Sequence, residues 1–247
     1  MLNAVALSDK GKVRRLNQDM VYMSAGKIGV LPDLFLLADG MGGHQAGDYC
    51  SRTLIEKIAD RVGKSGTGEH VAVLRKAIES ANEELYRESL SNPELAGMGS
   101  TLVAAFIEKS TLYVFNVGDS RLYVAGHKFQ QITRDHSFVE EMVDAGRMKR
   151  GSSAYNNNKN IITRAVGIGM NVDIDIFEMH LKKSDVVMLC SDGLTNMLSD
   201  EEIDSVISGS ESLKDAAEKL ISDANEKGGT DNISVILIAS PGREEAS

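Results

Sequence analysis

Asp39, Asp119 and Asp192 each close a short apolar run, and Asp231 opens one. The runs are Leu34 to Ala38 before Asp39-Gly40, Leu112 to Val117 before Gly118-Asp119, Val186 to Cys190 before Ser191-Asp192-Gly193, and Ile233 to Ile238 after Asp231-Asn232. Runs of this length and composition read as buried strands. Each acid then stands at a sheet rim, where a carboxylate reaches solvent and a cation. A single Asp-Gly after a strand is ordinarily a tight turn, so the recurrence carries the argument. Carboxylates beside small residues suit hard cations such as Mg2+ or Mn2+, and no Cys/His spacing suggests zinc. Four acids at one rim would repel one another without such ions. The chemistry indicated is that of a magnesium- or manganese-dependent hydrolase.

The elements that must position these acids follow from periodicity. Strands are expected around residues 3–8, 19–23 and 34–38, then helices near 46–62 and 68–90. In the second helix Val71, Leu74, Ile78, Ala81 and Leu85 form one apolar face, a core stripe. Residues 101–107, 111–117, 120–125 and 128–132 read as an antiparallel meander building a second sheet. Ser199 with Glu202 forms a capping box for a helix starting at Asp200, and Leu213, Ala217, Leu220 and Ala224 mark another amphipathic helix. Strands at 186–190 and 233–238 flank these helices. Strands grouped with paired helices, without strict alternation, indicate an α+β layered fold.

The 247 residues carry 27 basic and 36 acidic side chains, a net charge of −9. That balance argues against general binding of nucleic acid or anionic membranes. It also means that any anionic substrate would need bound cations and a placed arginine to reverse the local sign. With three prolines and no Gly/Ser-rich linker, one domain over residues 1–247 is expected. Cys50 and Cys190 are too few for a disulfide scaffold and fit a reducing compartment. No leader-like segment or run of about 18 apolar residues stands out, so a soluble, cytoplasmic chain without a membrane anchor is expected.

Seven segments, read in order, carry a resemblance. They are Arg14-Arg15-Leu16-Asn17-Gln18-Asp19, Asp39-Gly40-Met41-Gly42-Gly43-His44, Gly99-Ser100-Thr101, Asn116-Val117-Gly118-Asp119-Ser120-Arg121, Thr163-Arg164-Ala165-Val166-Gly167, Cys190-Ser191-Asp192-Gly193-Leu194 and Gly228-Gly229-Thr230-Asp231-Asn232. The series resembles the metal-dependent type 2C serine/threonine protein phosphatases, the PPM family, and Met41 with His44 resembles its bacterial branch. The resemblance implies a four-layer α-β-β-α sandwich with two central antiparallel sheets and a flap over about 136–170. Within that span, residues 146–160 hold Arg147, Lys149, Arg150 and Lys159 and no acid, which suggests a basic lid over phosphosubstrate.

The same resemblance assigns roles. Asp39 would bridge two core ions, Mn2+ or Mg2+, with the Gly40 carbonyl on one and Asp192 and Asp231 completing the other. Asp119, shared with Asp192, would hold a third ion. A metal-bridging hydroxide would attack phosphorus in line, with no phosphoenzyme. Arg14 would clamp phosphate through its guanidinium fork. Arg15 is its rival on the expectation that this stretch is a strand, whose alternation sends one of the two outward, and the motif spacing selects Arg14. Asp19 would accept from metal-bound water, and Gln18 stands where many relatives have Glu. His44 is the general acid, acting through water, or a structural group, since Met41 cannot donate a proton. His70, His127, His136 and His180 lack mutual ligand spacing and read as structural or exposed.

Other chemistries fit less well. Cys50 and Cys190 have Glu56 and Asn196, not Arg, six positions on, which excludes a cysteine phosphatase. Gly63-Lys64-Ser65 lacks the first glycine and preceding strand of a phosphate-binding loop. Asp173-Ile174-Asp175 resembles an aspartyl-phosphate motif but alternates with Val172, Ile174 and Ile176, as exposed strand acids would. A phosphoprotein-binding module and a hydrolase of small phosphorylated metabolites remain the alternatives. The expected partners are phosphorylated proteins, a Ser/Thr kinase among them, and the expected state is a monomer.

Overall fold

A computed structural model describes residues 2–43 and 46–241. Its strands are β1 (Ala4–Asp9), β2 (Asp19–Ser24), β3 (Leu34–Met41), β4 (Gly99–Ser100), β5 (Leu102–Glu108), β6 (Thr111–Val117), β7 (Arg121–Ala125), β8 (Gln130–Gln131), β9 (Asp175–His180), β10 (Val186–Cys190) and β11 (Ile233–Ala239). Its α-helices are α1 (Ala46–Gly63), α2 (His70–Ser91), α3 (Phe138–Asp144), α4 (Ser153–Asn158), α5 (Asp192–Thr195), α6 (Asp200–Gly209) and α7 (Leu213–Glu226).

Two antiparallel sheets result, one ordered β1-β11-β10-β7-β8 and the other β2-β3-β5-β6-β9, with β4 on β3. Side-chain alternation builds three apolar layers. On β3, Leu34, Leu36 and Ala38 pack toward α1 and α2, while Phe35 and Leu37 enter the space between the sheets. On β11, Ile236 and Ile238 meet that same space, and Val235 and Leu237 pack on α6 and α7. This is the expected α-β-β-α sandwich. The capping box of α6 is present, Ser199 and Glu202 bonding reciprocally across its first turn. Among the described residues no helix is long and apolar enough to cross a membrane.

Two expectations need correction. The segment from 101 to 132 is not one meander: β5 and β6 lie in one sheet and β7 and β8 in the other. The chain changes sheets at Gly118-Asp119-Ser120, where Gly118 adopts φ +105°, a conformation that favours glycine. Residues 10–18 are not a strand either. They form a loop whose backbone pairs with the 229–232 loop, Lys12 N–H donating to the Gly229 carbonyl at 2.8 Å.

Candidate active site

Antiparallel order brings the ends of β3, β6 and β10 and the starts of β2 and β11 to one end of the sandwich. A cleft of about 260 Å³ opens there, lined by Arg14, Gln18, Asp39, Gly40, Thr101, Asp119, Asn160, Ile162, Asp192 and Asp231, among others. Every described side chain expected at the site thus lies in or directly behind one cleft. His44 lies outside the described residues.

Strand register accounts for the tightest pairing. Asp19 and Asp39 stand directly opposite each other across β2 and β3, where like charges are destabilising. Asp19 Oδ2 is fixed by the hydroxyls of Ser191 and Ser234, each donating at 2.7 Å. Its Oδ1 is buried without a partner, as is Oδ1 of Asp192. Asp192 Oδ2 accepts from Asn196 at 2.9 Å. The Asp39 N–H donates to Thr101 Oγ1 at 3.0 Å, and Thr101 Oγ1 lies 2.7 Å from Ser120 Oγ.

Burial and mutual repulsion hold these acids toward their neutral forms. Asp39 is raised well above the usual carboxylate range, first by burial and then by Asp19, Asp192, Asp119 and Asp231. Asp19 is pushed up to about 7, mainly by burial, with its serine bonds opposing. Burial, then Asp192, pushes Asp119 up to about 7. Asp192 is raised by burial and by Asp231, against Asn196, Arg14 and Lys159.

Arg14 enters the cleft from the loop and donates to Asp231 Oδ2 at 2.6 Å. The two arginines differ in placement because both sit on this loop and do not alternate along a strand: Arg14 lines the cleft, and Arg15 is exposed and does not. Asn232 secures the loop, donating to the Lys10 and Leu16 carbonyls at 2.9 Å and accepting from Gln18 N–H at 2.9 Å.

The oxygen-only donor set and the unpartnered buried oxygens of Asp19 and Asp192 fit a hard divalent cation. Among the described residues no three acid, His or Cys side chains close a metal cage by themselves.

The flap is less free than its composition suggested. Arg150 is ion-paired with the buried Glu140 on α3, which also accepts from Tyr155 at 2.7 Å. Glu140 thus gathers Arg150 of the connecting segment and Tyr155 of α4 onto α3. Thr101, Asn160 and Asn232 were given no role by the sequence. Only the Gly99-Ser100-Thr101 and Asp231-Asn232 segments hinted at two of them.

Comparison with known proteins agrees with this geometry. Residues 23–142 match the family model of protein phosphatase 2C. The chain is 36% identical over 242 residues to the serine/threonine phosphatase stp of Listeria monocytogenes, covering 96% of this chain and 95% of that one. The chain belongs to the protein phosphatase 2C family. Its bacterial branch supplies the structural likenesses as well. The serine/threonine phosphatase Stp1 of Staphylococcus aureus superposes with a TM-score of 0.91 at 33% identity, over 98% of this phosphatase 2C chain and 96% of Stp1. The catalytic domain of the phosphatase PstP, solved with two manganese ions, superposes with a TM-score of 0.84 at 34% identity, over 96% and 97% of the two chains.

Proposed function

We propose that this phosphatase 2C hydrolyses phosphoserine and phosphothreonine in proteins, with Mn2+ or Mg2+, and opposes one or more Ser/Thr kinases. The observation that carries the reading is the burial of Asp19, Asp39, Asp119 and Asp192 together without enough positive charge to ionise them. Asp39, the Gly40 carbonyl, Asp192 and Asp231 would hold two core ions, and Asp119 with Asp192 a third. When bound, such ions acidify water to give a nucleophile near neutral pH and neutralise charge on the phosphoryl oxygens.

The chain's own groups divide the remaining work. Arg14 binds phosphate oxygens once it leaves Asp231. Asp19, locked by Ser191 and Ser234, would accept from metal-bound water with its unpartnered Oδ1. Cys50 and Cys190 are buried, and burial pushes each thiol up to about 12. The Ser191 hydroxyl is spent on Asp19, and Thr101 Oγ1 is bonded to Asp39 N–H and Ser120. Among the described residues, neither these thiols nor these hydroxyls are free to attack, which favours direct hydrolysis by water in line with the leaving group. His44 would protonate that group. As Arg14 near one end of the sequence and Asp231 near the other meet in one cleft, the chain would act as a single catalytic unit with its flap over 136–170.

The test is phosphate release from a phosphothreonine peptide with Mn2+, Mg2+ or chelator, for the native chain and Asp192→Ala. Metal-dependent turnover that the substitution abolishes is expected. A folded, metal-loaded chain that turns over sugar phosphates but not phosphopeptides would overturn the protein-substrate reading.

A further inference from the structure

His136 and Asp175 form an arrangement that neither the carboxylate cluster nor the phosphate clamp uses. His136 is 5% exposed. Gly118 N–H donates to its Nδ1 at 3.1 Å, and His136 N–H donates back to the Gly118 carbonyl at 2.9 Å. A ring nitrogen that accepts from an amide bears no proton, so the imidazole carries its proton on Nε2. That proton faces Asp175 Oδ2 at 3.0 Å. Arg164 Nη1 donates to Asp175 Oδ1 at 2.9 Å. Its 3.3 Å approach to His136 Nε2 is two donors converging on one carboxylate. Asp175, read from sequence as an exposed strand acid, is half-buried in this triad.

The two ends of the triad lie on different parts of the site. One is the turn bearing Asp119, closed on its other side by Thr101, whose Cβ would stand 2.8 Å from a Cβ added at Gly118. The other is the flap. Thr163 N–H donates to the His136 carbonyl at 2.8 Å, Ser137 bridges to Ile162, and Asn160 and Ile162 line the cleft.

We propose that His136 is a positioning residue that sets the Gly118–Asp119 turn through Nδ1 and ties it to the flap through Nε2–H, Asp175 and Arg164. One imidazole then governs both the affinity of the ion at Asp119 and the flap wall that meets substrate. This rests on the phosphatase reading above.

The test titrates Mn2+ calorimetrically into the metal-free full chain, unaltered and as His136→Ala, His136→Asn and Asp175→Ala, with thermal unfolding of each in chelator and KM for a phosphothreonine peptide. Asparagine places an oxygen near the Nδ1 position but falls short of Asp175. The weakest Mn2+ step should lose about tenfold in affinity in His136→Ala and recover in His136→Asn. KM should stay raised in His136→Asn and Asp175→Ala, where the flap tie is cut. An unaltered isotherm in His136→Ala, or an asparagine variant no better than alanine at equal thermal stability, overturns the proposal. Should His136→Ala not fold, unchanged KM in both other variants overturns it, and raised KM with an intact isotherm supports it. Absence of Mn2+ uptake by the unaltered chain is a separate outcome, which fails the phosphatase reading itself.

Discussion

Arg14 Nη2 lies 2.6 Å from Asp231 Oδ2, so the guanidinium proposed to meet phosphate is engaged by a carboxylate proposed to meet metal. The pair is half exposed on the arginine side and contributes little to stability. Its consequence is competitive: if Asp231 holds a cation, Arg14 would be released to bind phosphate. Arg14→Ala should therefore leave Mn2+ affinity equal or tighter while kcat/KM for p-nitrophenyl phosphate falls about 10- to 100-fold, the equivalent of about 1.5–3 kcal/mol for a hydrogen bond to a charged group. Calorimetry beside steady-state kinetics measures both, and a joint loss of metal binding and activity would contradict this division.

The buried acids link stability to pH in a direction opposite to the common one. Asp19 and Asp119 have folded-state values of about 7, above their ordinary value of 3.8. The folded chain thus binds more protons than the unfolded chain between those values. Their contribution is fully present below about 4 and is lost as pH rises through about 7. In chelator, Tm should fall from pH 5 to pH 8. Saturating Mn2+, which binds the ionised carboxylates, should reverse much of that slope. A chelated protein whose Tm rises over this interval would refute the account.

The acids at strand ends were legible because an apolar run followed by Asp is a local pattern, and so were the helices, whose faces repeat every three or four residues. What sequence hid depends on contacts far apart in the chain. Loop 10–18 is extended enough in composition to pass for a strand, yet Asn232 claims its backbone groups. The sheet change at Gly118 is invisible because β6 and β7 each look like members of one meander. His136 and Asp175, 39 positions apart, signal nothing until β9 pairs with β6.

Asp33 is another group no pattern marked. It is buried at the end of the sandwich away from the cleft, accepts from Ile107 N–H at 2.7 Å, and is pushed up to about 7 by that burial. It too stabilises the fold below about pH 4 and loses that contribution through about pH 7. Asp33→Asn can keep the Ile107 bond through Oδ1 without ionising. It should raise stability at pH 8 by about 1–3 kcal/mol and at pH 5 by only about a third of that, since most of the loss lies between pH 5 and pH 7. Urea unfolding at both pH values checks this, with Mn2+ present so that the catalytic acids do not contribute. Equal shifts at the two pH values would remove Asp33 as the cause.

Gly193 follows Asp192 for a reason other than a turn. A Cβ added there would stand 1.9 Å from the Asn232 carbonyl oxygen and 3.4 Å from the Asp231 side chain. Gly193→Ala must push back the Asp231–Asn232 loop, and with it the backbone of 10–18 that Asn232 holds. The local cost of such overpacking is about 1–3 kcal/mol. The functional cost should be larger, because Arg14, Asp231 and Asp192 all shift together. Gly209→Ala is the matched control: nothing lies within 4 Å of its added Cβ, and alanine there should stabilise the end of α6 by up to about 1 kcal/mol. Turnover and Tm of the two variants, measured in saturating Mn2+, should therefore diverge. Gly193→Ala should lose most activity while still folding, and Gly209→Ala should keep it all. Activity retained in Gly193→Ala would mean that the loop yields without moving the carboxylates, and close packing at Asp192-Gly193 would not be what sets the cleft.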